Sequence, residues 1–171
     1  MTDKVEIARR ADALARFTGE RDPRRLAREL GVEILSRPFA AQKGAYTVVV
    51  RVPFIFLKDG LEPAMERIVL AHELGHHILH RAQAEERGGF REFDLFDVNA
   101  NRLEREANLF AAQLLLEDGP FLEYARRGWD TKAIAAALET DVNLAALKAD
   151  ILIARGYTLR PQPYKEDFLS A

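Results

Sequence analysis

The chain has 171 residues, 48% hydrophobic and 30% charged, a composition that suits one packed domain able to bury a core without covalent staples. It contains no cysteine, which excludes disulfides, thiolate metal sites and a cysteine nucleophile, so any metal must be held by histidine and carboxylate. A formal net charge of −2 gives no general ground for nucleic-acid binding, and no window has the apolar length of a membrane span or a secretory signal, so a cytoplasmic protein is expected.

Residues 5–17 place Val5, Ile7, Ala8, Ala11, Leu14, Ala15 and Phe17 at helical spacing, and Gly19 ends the run. The first thirty residues are rich in arginine (Arg9, Arg10, Arg16, Arg21, Arg24, Arg25 and Arg28), but acids interleave with them, which reads as a solvated face. Asp22-Pro23 is an N-cap followed by proline at the first helical position, opening a short helix that stops at Gly31. Residues 32–35, 45–52 and 54–57 are β-branched or aromatic and predict a sheet of about three strands. Lys58-Asp59-Gly60 is a turn, and residues 63–80 become helical.

Residues 84–99 are polar and glycine-containing, and predict a long loop in which Phe90, Phe93 and Phe96 pack locally or form a lip for substrate. A second strong helix is expected over 101–116, with Gly119-Pro120 ending it. Short helices follow at 121–127, 130–138 and 143–155, with Asp130 capping one and Asp141 or Asn143 the next, before an irregular tail from Tyr157. The last two have the size of a helix-turn-helix pair, yet Lys132 and Lys148 are the basic residues there, poor provision for phosphate contact. They read as a packing or docking unit.

The chemistry concentrates in His72-Glu73-Leu74-Gly75-His76. At 100° per residue, His72 and His76 lie one turn apart on one helix face, where two neutral imidazoles can share a divalent ion. Glu73 sits at the edge of that face, placed to act on an attacking water without being a ligand. Leu70, Leu74 and Ile78 point the other way, as a core anchor, and Gly75 offers close approach to a neighbouring element. With 4 His in 171 residues, the composition-only expectation for such a motif is about 0.01. The bland alternative, two surface histidines, fits poorly with a helix this apolar, because buried imidazoles need partners.

A catalytic zinc takes three protein ligands, so one must come from elsewhere. Glu104 is the candidate: Ala107, Asn108 and Ala111 share its face and permit a close helix–helix approach, whereas Glu106 lies about 160° away. Spacing alone leaves Glu104 equally readable as one acid of the charged run Glu104-Arg105-Glu106. For a donor to a developing oxyanion, Tyr46, His77 and His80 are open. His80 lies on the metal side, but reads first as a helix C-terminal histidine on the last carbonyls; Tyr46 reads equally as a strand aromatic.

Residues 69–80, Val-Leu-Ala-His-Glu-Leu-Gly-His-His-Ile-Leu-His, followed by the helix that opens Glu104-Arg105-Glu106-Ala107-Asn108-Leu109-Phe110-Ala111, resemble the ImmA/IrrE family of zinc peptidases. Its members read HELGHxxLH and then ExxANxFAxxLL. The resemblance spans roughly residues 20–116, and departs where relatives read Met-Pro and this chain reads Leu116-Glu117-Asp118-Gly119-Pro120. It implies an α+β fold in which a small sheet packs on a zincin-like helical core over residues 1–120, with a C-terminal helical extension and tail over 121–171. It implies one Zn²⁺ per chain held by His72, His76 and Glu104, with Glu73 as general base, although two imidazoles and a carboxylate also suit Mn²⁺ or Fe²⁺. It further implies a zinc endopeptidase of gluzincin type that cleaves a helix-turn-helix repressor. Two rivals stand beside it: a catalytically silent antirepressor that sequesters the same partner, and a DNA-binding regulator using the C-terminal helices. Nothing in the sequence sets the oligomeric state.

Overall fold

The three-dimensional structure is a computed structural model that describes residues 3–87 and 98–160. Its elements run α1 (Lys4–Thr18), α2 (Pro23–Glu29), β1 (Glu33–Arg37), β2 (Gly44–Val49), β3 (Val52–Lys58), α3 (Pro63–Arg87), α4 (Val98–Leu115), α5 (Asp118–Arg126), α6 (Thr131–Ala137) and α7 (Val142–Ala154). The α+β class and the three-stranded sheet match expectation.

Local chemistry explains the helix starts. Asp3 accepts from the amides of Val5 and Glu6, Asp22 from that of Arg25, Asp130 from that of Ala133 and Asp141 from that of Asn143, so orphan first-turn donors are satisfied. Of the two candidate caps for α7, Asp141 fills the role. Several arginines of the first thirty residues form ion pairs on the surface, among them Arg10 with Glu6, Arg24 with Glu66 and Arg25 with Glu20.

Strand β3 is central, parallel to β1 and antiparallel to β2, giving the order β1-β3-β2. Alternation along β2 and β3 turns Tyr46, Val48, Ile55 and Leu57 inward, where they are buried against α3. The sequence reads as an unbroken strand over 45–52, but the chain reverses at Val50-Arg51. Both residues have positive φ (49° and 68°), the conformation of a two-residue hairpin turn, and neither is the Gly or Asn that announces one.

Helix α3 packs between this sheet and α4. A Cβ added at Gly75 would stand 3.0 Å from Ala107 Cα and 3.1 Å from its carbonyl oxygen, so the two backbones touch there. Leu144, Leu147 and Ile151 of α7 join the same core, while Ala145, Ala149 and Leu152 pack in a second cluster with Phe121, Leu122 and Ile134. Among the described residues, no helix is long and apolar enough to cross a membrane.

Three boundaries differ from expectation. Helix α3 runs on to Arg87, past His80, because Ala84 is fully buried and Arg81 pairs with Glu85 one turn on. Helix α4 starts earlier, at Val98. Gly119-Pro120 lies inside the first turn of α5, where proline needs no amide partner, rather than marking a stop. Phe90, Phe93 and Phe96 lie outside the described residues.

Candidate metal centre

The middle of α3 is buried on all sides. Leu70 and Leu74 anchor it in the core, as the sequence predicts, and His72, Glu73 and His76 are only 4%, 5% and 2% exposed. Burying such polar groups is tolerable only if each finds a partner. The partners come from α4 and from α3 itself.

The two imidazoles converge. His72 Nε2 and His76 Nε2 lie 3.2 Å apart, and Glu104 places one carboxylate oxygen 3.0 Å from the first and the other 2.8 Å from the second. Behind them, the opposite ring nitrogens are held. His72 Nδ1 meets Asn108 Oδ1 at 2.8 Å, and because an amide oxygen only accepts, the neutral ring carries its proton on Nδ1 and turns its Nε2 lone pair inward. His76 Nδ1 meets His80 Nδ1 at 3.0 Å, and His80 Nε2 meets Glu106 Oε2 at 3.0 Å.

This donor set fits a small divalent cation. Ligands at about 2.0–2.1 Å around a tetrahedral zinc stand about 3.3 Å from one another, close to the separations found here. Glu73 is the second acid nearby: its donor atom and those of His72 and His76 all lie within 4.8 Å of one another, a group that could bind a metal. Of the two carboxylates, Glu104 is the one in direct contact with both Nε2 atoms.

The electrostatics follow from burial and charge. Burial works against a protonated His72, yet the Glu104 carboxylate outweighs it and holds the ring's pKa up at about 9. A cation therefore competes with a proton for that lone pair. Glu104 is likewise opposed by burial, but the two imidazoles hold it well below the usual carboxylate range. Burial pushes Glu73 up, which makes it a better proton acceptor.

Strand β2 roofs Glu73. A Cβ added at Gly44 would lie 2.8 Å from Glu73 Oε1 and 2.5 Å from Val69 Cγ1, so only glycine lets the strand pass this close.

Residues 27–149 match the family described as the IrrE N-terminal-like domain, peptidase M78. The chain belongs to this family. An uncharacterized immunity region protein 2 of Bacillus phage phi105 is 35% identical over 106 residues, taking in 61% of this chain and 64% of the relative's length. Membership makes the chain metallopeptidase-like in kind, and the buried histidine–glutamate cluster falls inside the matched region.

The fold thus brings His72, Glu73, His76 and Glu104 together, and links His80 to them through His76. It does not bring Tyr46 there. The Tyr46 hydroxyl lies 2.9 Å from His77 Nδ1 on the sheet side of α3, with burial pushing its pKa up to about 12 and pulling that of His77 down to about 4. His80 is not at a helix end either: it is buried, and its ring faces His76 and Glu106 instead of terminal carbonyls. Sequence reasoning missed Asn108, Glu106 and Gly44. Asn108 carried a readable signal, a lone amide among small and apolar residues one turn after Glu104. The contact of Glu106 with His80 carried none, since a turn of about 160° from Glu104 takes Glu106 off the face read as meeting the metal.

Proposed function

We propose that the chain is a zinc-dependent endopeptidase in which His72, His76 and Glu104 hold the metal and Glu73 is the general base. The observation that carries this reading is the convergence of two inward-facing Nε2 atoms and one carboxylate from a second helix, each ring oriented from behind. Bound there, the ion supplies Lewis acidity toward a peptide carbonyl and toward water. The chain's own residues do the rest. Glu73, buried beside the pair with its affinity for protons raised, takes a proton from the attacking water and passes it to the leaving amine. Gly44 keeps the start of β2 against that carboxylate and limits the freedom of its side chain.

The substrate we infer is a helix-turn-helix repressor. Family membership supports a protein substrate, and the phage relative's name, an immunity region protein, supports a role in repressor control. Incubating the purified chain with a repressor encoded beside it, with and without a chelator, tests this. Chelator-sensitive fragments are expected; binding without fragments would favour the silent antirepressor. Glu73→Gln should keep the metal and reduce cleavage by at least ~10²-fold, the usual scale for losing a general base. Undiminished cleavage by that variant removes Glu73 from the mechanism.

A further inference from the structure

We infer that His80 and Glu106 form a positioning chain that fixes the tautomer of His76, so that one carboxylate outside the ligand set decides where the His76 lone pair points. The inference rests on the metal reading proposed above.

A neutral imidazole has one donor nitrogen and one acceptor nitrogen. For His76 to offer its Nε2 lone pair toward His72 and Glu104, its proton must sit on Nδ1. That proton needs an acceptor, and the atom 3.0 Å away is His80 Nδ1. Accepting there forces the proton of His80 onto Nε2, which lies 3.0 Å from Glu106 Oε2. An ionised carboxylate only accepts, so the direction of both links is set from the Glu106 end. Reversing both links would set the bare Nε2 lone pair of His80 against the Glu106 anion, and flipping His80 alone would also point two N–H groups at each other.

The surroundings suit this role. His80 is 2% exposed, so water does not compete for its nitrogens, while Glu106 is partly exposed and has Arg102 Nε 3.8 Å from its other oxygen. The charged end of the chain is therefore solvated and the neutral end is dry. The spacing is economical: His72, His76 and His80 follow one another at successive turns of α3, and Glu104 and Glu106 come from a single turn of α4. Although these two acids diverge on a helical wheel, each meets a different ring. His72, by contrast, is oriented by one neutral link to Asn108.

Zinc affinity and ring tautomer test the chain together. Zn²⁺ is titrated into the metal-free full chain against a chromogenic chelator, for wild type, Glu106→Leu and Glu106→Gln. The leucine variant should bind roughly 10–100-fold more weakly, the usual effect of losing a ligand's outer partner. The glutamine variant, whose amide oxygen can still accept from His80, should lie closer to wild type. Circular dichroism of the metal-free variants checks that they fold. Independently of any variant, ¹⁵N NMR of wild-type protein should place the His80 proton on Nε2. Equal zinc affinity for wild type and a folded Glu106→Leu, or a His80 proton on Nδ1, overturns the chain while leaving the metal reading intact. A wild-type chain that takes up no zinc overturns the metal reading and the inference with it.

Discussion

Helix α4 contributes to two buried polar clusters, one near each end. Toward its start, Glu104 and Glu106 meet the imidazoles of His72, His76 and His80, with Glu73 close by. Toward its finish, Gln113 accepts from Lys148 Nζ at 2.6 Å and donates to Asp12 at 2.8 Å; Lys148 also pairs with Asp118, and Arg155 bridges Asp118 (2.8 Å) and Asp12 (2.7 Å). The second cluster brings its own cations, Lys148 and Arg155 with Arg21 3.6 Å from Asp12, against the carboxylates of Asp12 and Asp118, and knits α1, α4, α5 and α7 together. The first combines three carboxylates with three imidazoles, and the Nε2 atoms of two of them converge on Glu104. The difference teaches how to tell a structural polar core from a reactive one. A self-neutralised network has finished its chemistry on folding, whereas a cluster of converging acceptors gains most from a cation drawn from solution.

The largest effect that sharpens this contrast is expected at Glu104. Glu104→Ala should lower zinc affinity by more than the ~10–100-fold that follows loss of an outer partner, measured by chelator competition, and leave the Lys148 cluster intact. A variant with wild-type affinity would mean that Glu104 is part of a charged run and nothing more. Next comes Asp118→Ala. It strips the fully buried Lys148 of its carboxylate and should reduce unfolding free energy by about 3–5 kcal/mol in denaturant titrations, while the folded protein keeps its metal affinity. Parallel losses of stability and metal binding would mean that the two clusters are not separate.

The smallest effect concerns pH. Burial pulls Lys148 down from an ordinary 10.5 to about 8, with Asp118 opposing. Between those values the unfolded chain holds a proton that the folded chain has released, so this residue's contribution makes stability rise with pH across the window. Wild type should gain about 3 kcal/mol relative to Lys148→Met on crossing it. Denaturation midpoints on either side of the window check this, and identical slopes would remove Lys148 as the titrating group.

Much of the histidine–glutamate cluster was legible because it is local. His72, Glu73 and His76 fall within two turns of one helix, and the small face beginning at Glu104 announced a close helix crossing that the Gly75–Ala107 contact realises. The self-neutralised cluster was not legible. Lys148 and Asp12 are far apart in sequence, and in the sequence Lys148 stands out only as one of two basic residues of the C-terminal helices, although it is fully buried. Helix interiors and caps followed from spacing and from Asp22 and Asp130, whereas the cap at Asp3 and the end of α3 did not, the latter because a charged stretch with glycines beyond it resembles a loop. The hairpin at Val50-Arg51 was hidden for the opposite reason, since valine there signals strand.

The contact of Gly75 with Ala107 also settles what kind of quantity the Glu104–imidazole separation is. Two main chains rest on each other at that point, with no side chain between them to act as a shim. The spacing of α3 and α4 beside the histidine–glutamate cluster is thus gauged at this point by backbone thickness, in an interior where close packing leaves little room for adjustment.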